Sequence, residues 1–257
     1  MLPILERRLP ARTGRYFEPF AGSACLFLRV RPPRAVLADL NGDLLATYRT
    51  VRHRPEAVAL KMAEWSPDEA TYYAVRSISP SDMDAVGRAA RFVFLNRLCF
   101  NGVYRTNRAG QFNVPFGRNT GSLPGPSNFR RFADALRGVD LRDGDFEATT
   151  DDATSGDVAY LDPPYTQDPA SAYGVYGYGA FEGSDVARLV KHMCRLDERG
   201  VAVLLSYADT PELRAALDER WIVENVHGYY QVAAQTRARR RRTEVLVSNT
   251  PVAGELG

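Results

Sequence analysis

Four consecutive residues carry the most pointed chemistry in the chain, Asp162-Pro163-Pro164-Tyr165. The two prolines fix φ and remove two backbone donors, so the segment neither extends a ladder nor opens a helix freely. What remains is a stiff turn offering one carboxylate, bare carbonyls and one aromatic face. That set suits a planar group bearing an amino function, with its ring on the tyrosine and its amine hydrogens on the carboxylate and a carbonyl. Taken alone, Pro-Pro fits a strand-ending turn with a surface tyrosine equally well.

The elements around this turn favour the chemical reading. Val158-Ala159-Tyr160-Leu161 is an apolar run bounded by Gly156 and Asp157, the pattern of a buried strand. The acid therefore sits just past a strand's carboxyl end, the edge where open α/β sheets bind ligands. A second such edge comes earlier. Tyr16-Phe17-Glu18-Pro19-Phe20 reads as a short strand, Ala21-Gly22-Ser23-Ala24 as a small-residue turn, and Cys25–Val30 as a buried helix. Strand, small-residue turn and helix open a nucleotide-binding βαβ unit, although a single glycine makes the signal weak. Ala35–Ala38 is the next strand, ending in Asp39-Leu40-Asn41. Asn41 is expected to cap the following helix to about His53, which leaves Asp39 free for ribose hydroxyls.

Composition narrows the class. The chain has 257 residues, 45% of them hydrophobic and 11% aromatic, as in an ordinary globular core. No apolar stretch is long enough for a bilayer, and the N-terminus has no signal-peptide pattern. Cys25, Cys99 and Cys194 are scattered and read as reduced, mostly buried thiols of a cytoplasmic protein. His53, His192 and His227 are scattered too, so no metal site is expected. Formal net charge is only +2, but it is uneven: seven arginines and no acid lie between Arg91 and Arg131, and five more between Arg237 and Arg242. Two basic zones on an otherwise acidic chain suit a polyanionic partner.

Residues 55–99 read as helices: one from Pro55, one from a Ser66–Glu69 capping box, one from near Ser81 or Asp82. The character changes over 100–118, where amides, arginines and aromatics interleave with the hairpin signals Asn101-Gly102 and Asn107-Arg108-Ala109-Gly110. Such a surface suits phosphates, base edges and stacked rings. Further on, the pattern predicts a helix over 128–137, a strand at 139–142, a helix over 184–199 capped by Ser184, and a strand at 201–206. A helix opened by Thr210-Pro211 and strands at 222–232 and 244–248 follow. Strand–helix alternation on both sides of a helical middle argues a doubly wound sheet with an insertion.

In this order, these stretches resemble the Dam-type N6-adenine DNA methyltransferases. Asp162-Pro163-Pro164-Tyr165 matches the catalytic DPPY motif. Asn96–Arg105 with Gly110–Arg118 looks like the family's most recognisable segment, and Glu18–Gly22 and Gly144–Glu147 are similar to its S-adenosylmethionine motifs. The resemblance spans residues 2–249. It implies an α/β, Rossmann-like (class I methyltransferase) fold, doubly wound and mostly parallel, over 1–53 and 136–257. A mainly helical target-recognition insertion with a hairpin would occupy 54–135. It implies S-adenosylmethionine as cofactor, held by Glu18, Pro19, Phe20, Ala21, Gly22, Ser23, Asp39, Asp145, Phe146 and Asp162. The catalytic set would be Asp162, Pro163, Pro164 and Tyr165, acting on an adenine swung out of the duplex.

The resemblance further implies double-stranded DNA as partner, with GATC the leading site. Arg97, Phe100, Asn101, Val103, Arg105, Asn113, Pro115 and Arg118 would contact it, together with Arg239 and Arg240 of the second basic zone. No metal, no membrane, a monomeric state and a cytoplasmic, nucleoid-associated location go with this reading. Two departures stand out. The sequence given begins at what matches the family's Leu-Pro-Ile-Leu helix, so a preceding Trp-Ala-Gly-Gly-Lys-like wall of the cofactor site is not in it. Ala24 replaces a glycine and is expected to crowd the cofactor. Two alternatives stay open: a DNA-binding relative without catalysis, and a methyltransferase acting on RNA or a protein amide.

Overall fold

The computed structural model describes residues 2–9, 14–107, 109–118, 120–164, 181, 183–226 and 244–251. Its frame is a seven-stranded sheet in the order β3-β2-β1-β4-β5-β7-β6. These strands are β1 (Tyr16–Glu18), β2 (Ala35–Asp39), β3 (Asp140–Asp143), β4 (Val158–Leu161), β5 (Ala202–Ala208), β6 (Ile222–Val226) and β7 (Glu244–Ser248). The five strands from β3 to β5 are mutually parallel, and β7 runs antiparallel to both β5 and β6. This is the expected doubly wound, mostly parallel sheet. The chain winds outward from β1 in one direction and from β4 in the other, so the switch point falls between their carboxyl ends.

Both faces of the sheet are covered, which is why its strands are apolar throughout rather than alternating. Tyr16, Leu37, Val158, Tyr160, Leu204 and Leu246 face one core. It is closed by α1 (Leu2–Arg8), α2 (Cys25–Val30) and α3 (Gly42–His53). Phe17, Val36, Ala159, Leu161, Val203, Leu205, Val245 and Val247 face the other. That side is closed by a single turn of helix, Phe146–Thr149, and by Gly183–Glu198 and Pro211–Ala216.

The middle of the chain folds as helices with a third core. Its elements are α4 (Pro55–Ala63), α5 (Glu69–Ser77), α6 (Ala85–Leu98) and α7 (Pro126–Ala135). Tyr72, Phe94, Leu95 and Leu98 are at most 2% exposed there, and Phe112 and Val114 of the hairpin region complete it. Val51 of α3 joins this core, and Phe132 of α7 touches both it and the sheet-side core. The insertion is therefore seated on α3.

Several predicted boundaries move. The helix expected from Ser66 starts at Glu69, because the Asp68 carboxylate caps the Thr71 N–H at 2.8 Å. The one expected from Ser81 or Asp82 starts at Ala85: Pro80–Asp82 forms a 3-10 turn, and Asp84 accepts from the Gly87 N–H at 2.7 Å. An ionised carboxylate out-competes a hydroxyl for the exposed N–H groups and meets the positive end of the helix dipole. The helix α7 begins at Pro126, not Asn128, since proline is at ease in a first turn. Ser184 lies inside its helix rather than capping it. The strand predicted over 222–232 is described only to Val226.

Replacing Asp84 with alanine should cost about 1 kcal/mol of stability in urea unfolding. Replacing Asp82 should cost no measurable amount. An equal loss from both would move the helix start back to the earlier position.

Candidate active site

Glu18 and Asp162 emerge side by side at the switch point, from the ends of β1 and β4. Glu18 is 3% exposed, and the Tyr16 hydroxyl donates to its Oε2 at 2.7 Å. Burial, with the like charge of Asp162 adding to it, pushes the Glu18 carboxyl up to about 8. Asp162 opens toward solvent, while its Oδ1 accepts from the Ser206 hydroxyl of β5 at 2.7 Å. Ser206 in turn is 2.9 Å from the Tyr160 hydroxyl. Enclosure by the sheet edge raises the Asp162 pKa, and hydrogen bonds from Ser206 and Tyr160 oppose the rise. Pro163 is buried and Pro164 exposed, so the turn stands on the sheet with its second proline outward.

A cavity of about 420 Å³ lies over these strand ends. Its walls are Leu2 and Leu5 of α1, Cys25 and Leu26 of α2, Phe20, Ala21, Gly22 and Ser23 of the first loop, and Tyr160, Ser206 and Glu244 of the sheet, with Glu18 and Asp162. The volume suits a small-molecule ligand. Among the described residues its lining holds three carboxyl groups and neither lysine nor arginine. Carboxyl groups held together in such a place are best satisfied by a ligand that brings positive charge.

The first loop bends through two left-handed residues, Gly22 (φ 45°) and Ala24 (φ 51°). Ala24 was expected to crowd the cofactor. Instead its methyl is fully buried in the core shared with α1 and α2, outside the cavity lining, so its cost is backbone strain. Asp39 was expected to be free and is not: its Oδ2 accepts from the Gly22 N–H at 3.0 Å and its Oδ1 from the Asn41 N–H at 2.9 Å. Burial raises its pKa against the pull of those two bonds. Asn41 caps α3 through the Leu44 N–H at 3.2 Å, as predicted. Asp145 caps the Glu147 N–H and pairs with Arg188 at 2.9 Å. Phe146 is 2% exposed, enclosed by Phe20 at 5.3 Å, His192 at 5.5 Å and the Arg188 guanidinium at 4.5 Å.

Of the predicted cofactor residues, then, Glu18, Phe20, Ala21, Gly22, Ser23 and Asp162 line one cavity. Asp39 adjoins it through Gly22 and Phe146 through Phe20. Pro19 is buried outside the lining. Sequence reasoning missed Ser206, Glu244 and the exposed Leu40 beside Asp39. The usable signal for the first two was a polar residue within or at the end of an apolar strand run. Cys25 was expected to be buried and is exposed at the cavity.

The expected recognition segment forms a hairpin-like excursion held by bridges between Cys99 and Phe116 and between Thr106 and Phe112. Phe100 and Val103 are large apolar side chains left 45% and 48% exposed, flanking Asn101 in a left-handed conformation (φ 58°). Arg105 Nε donates to Asn113 Oδ1 at 2.7 Å, and Arg97 Nε to the Ser122 carbonyl at 2.9 Å. Pro115 accepts from the Phe100 N–H through its carbonyl, and its ring and Arg118 are exposed. One member of the basic zone drops out: Arg91 is 8% exposed and donates to the carbonyls of Val75 and Arg76. Tyr165, Arg108, Arg239 and Arg240 lie outside the described residues. No group of potential metal ligands occurs among the described residues, and no described helix is long and apolar enough to cross a membrane.

A sheet wound in this order with β7 reversed, bearing an acidic cavity at its switch point, defines a Rossmann-like class I methyltransferase fold. Residues 1–236 match the family described as D12 class N6 adenine-specific DNA methyltransferase, and the chain belongs to it. Among its relatives, the type II methyltransferase M1.LlaDCHI of Lactococcus lactis subsp. cremoris is 31% identical over 97% of this chain and 91% of its own. The type II methyltransferase M.MjaIII of Methanocaldococcus jannaschii is 32% identical over 88% and 86%. The DNA adenine methylase of Escherichia coli K12 is 31% identical over 82% and 77%. The chain is an adenine-specific DNA methyltransferase.

Burial makes Glu18 hold its proton more tightly in the folded chain than in the unfolded one. Its contribution to stability is therefore complete below about pH 4.5 and is lost as pH rises through about 8. Glu18→Gln keeps the shape without the ionisation. Urea unfolding should show the variant gaining on the wild-type chain between about pH 5 and pH 8.5. A constant difference across that window would place the Glu18 carboxyl in water.

Proposed function

We propose that the chain moves a methyl group from S-adenosylmethionine to the N6 of an adenine swung out of duplex DNA at a short site, with GATC the leading choice. The acidic cavity at the switch point, with the Ser206-braced Asp162 at its rim, is the observation that carries this reading. The cofactor brings an electrophilic methyl group on a sulfonium, and its cationic groups suit the Glu18, Asp162 and Glu244 carboxyls. Phe20, Ala21, Gly22 and Ser23 would form its floor, with Asp39 on the ribose hydroxyls and Leu40, Asp145 and Phe146 toward its adenine. The last two need a local shift of Arg188, which now holds Asp145 and covers Phe146.

Asp162 and the Pro163 carbonyl would accept hydrogen bonds from the target amine. That leaves electron density on N6 and aims its lone pair at the methyl carbon. Ser206 holds one carboxylate oxygen, so Asp162 presents itself in one orientation without reorganising. As N6 takes the methyl group the sulfonium's S–CH3 bond would break to leave a neutral thioether, and the amine proton would pass to Asp162, whose raised pKa makes it the better acceptor. Tyr165 is proposed to stack on the extruded base.

On the DNA side, Phe100, Asn101, Val103 and Arg105 are proposed base readers. Asn113 fixes the Arg105 fork and Pro115 the backbone of Phe100. Arg97, Arg118, Arg239 and Arg240 are proposed phosphate contacts. A monomeric state and a place on the nucleoid are proposed with this reading.

The test is to incubate the chain with S-adenosylmethionine and unmethylated genomic DNA and to map N6-methyladenine by sequencing. One short methylated motif is expected. No methylation of DNA, or transfer to RNA instead, would overturn the reading. Asp162→Ala should lower kcat by about 10²–10³. Ser206→Ala should lower it by about tenfold, with KM for the cofactor within about threefold, since it removes one orienting hydrogen bond.

A further inference from the structure

Tyr104 sits inside the reading segment, between Val103 and Arg105. Its ring packs against Phe92 of α6 at 5.2 Å and against Phe112 at 5.6 Å. Its hydroxyl leaves the insertion altogether and donates to Asp43 Oδ2, at 2.9 Å, in the first turn of α3. That turn is the continuation of the cofactor loop. Asn41 caps it, the Asn41 N–H is held by Asp39 Oδ1, and the other oxygen of Asp39 holds Gly22 at the cavity. A short relay thus joins the first loop to the hairpin through Asp39, Asn41, Asp43 and Tyr104.

Packing at this joint is open. A cavity of about 110 Å³ lies between α3 and α6, with Asp43, Thr47, Phe92, Tyr104 and Phe112 in its walls. Although α3 packs against the insertion elsewhere, beside this gap a directional bond sets the local position of the hairpin against the first turn of α3. We propose that the Tyr104–Asp43 hydrogen bond is a positioning contact that couples cofactor occupancy to DNA reading. The inference rests on the reading of Asp39 as the ribose carboxylate. A ligand donating hydrogen bonds to Asp39 competes with the N–H groups of Gly22 and Asn41. The β2–α3 loop and the first turn of α3 then shift, and Tyr104 carries the shift to Val103 and Arg105. By linkage the effect is reciprocal: each ligand tightens the other by the same factor.

The experiment measures dissociation constants for a fluorescent duplex carrying the wild-type enzyme's own methylation motif, with and without saturating S-adenosylhomocysteine. The converse titration is run as well. The wild-type chain is expected to show at least about fivefold mutual tightening. Tyr104→Phe and Asp43→Asn should each lower that factor about fivefold, and the double variant no further. Each ligand measured alone should stay within about twofold of wild type. Variants that keep the wild-type factor, or that weaken DNA equally with and without the second ligand, would overturn the coupling. So would a wild-type chain that binds both ligands independently. A chain that binds duplex but no S-adenosylhomocysteine would instead defeat the functional reading along with it. Tyr104→Phe removes only an oxygen, so a native melting curve for it shows that the result is not one of unfolding.

Discussion

The structure turns on two carboxyl groups brought together by the sheet order. Because β1 and β4 are neighbours and parallel, their carboxyl ends deliver Glu18 and Asp162 to one spot. Glu18 is buried and Asp162 is enclosed on its sheet side while open to solvent on the other, and each is held by hydroxyls of the same sheet, Tyr16 for Glu18 and Ser206 with Tyr160 for Asp162. Such an arrangement is costly in an empty protein and is relieved by protonation or by a cation. The cost is local and the surrounding apolar strands, packed on both faces, over-determine the geometry. A cation in the cavity would favour the ionised form of Glu18 and oppose the effect of its burial.

The insertion solves a different problem, the presentation of polar and aromatic groups on a segment with little regular structure. Two isolated bridges and scattered loop hydrogen bonds, rather than a regular ladder, hold the described part of residues 99–116 together, and its shape depends also on what lies beneath. Tyr72 and Arg76 of α5 both donate to the Val114 carbonyl, and Phe112 and Val114 are buried in the helical core. The outer side is thereby free to leave Phe100 and Val103 exposed. Arg91 belongs to the inner side. Its guanidinium ties α6 to the end of α5 through the carbonyls of Val75 and Arg76, and burial lowers its pKa.

What was legible in the sequence was what depends on local pattern. The apolar run Val158–Leu161 is β4 to the residue, and Asn41 caps α3, because burial on both sheet faces and capping are written in adjacent side chains. What was not legible depends on residues distant in sequence. Asp39 looked free because its partner Gly22 lies 17 positions away, and Phe146 looked open because Phe20 and Arg188 close over it only in the fold. Counting charges placed Arg91 on a basic surface, although its stem lies on the apolar face of α6. Glu244 and Ser206 gave no motif at all; they become site residues only through the antiparallel pairing of β5 with β7.

These two classes of residue divide the labour of the enzyme. The motif residues at strand ends, to which the proposed chemistry is assigned, sit in contexts set by adjacent residues. The contacts that tie one part to another, Ser206 on Asp162, Asn113 on Arg105 and Asp43 on Tyr104, are made by side chains whose roles exist only across the fold. Each adds directional bonding across the fold to a group that packing alone leaves at least partly exposed. A group held in that way can be displaced by about a hydrogen bond's worth of free energy, roughly 1 kcal/mol. Substrate binding easily supplies that much. On the reading proposed above, the Ser206–Asp162, Asn113–Arg105 and Asp43–Tyr104 bonds are where ligand binding would act on the fold.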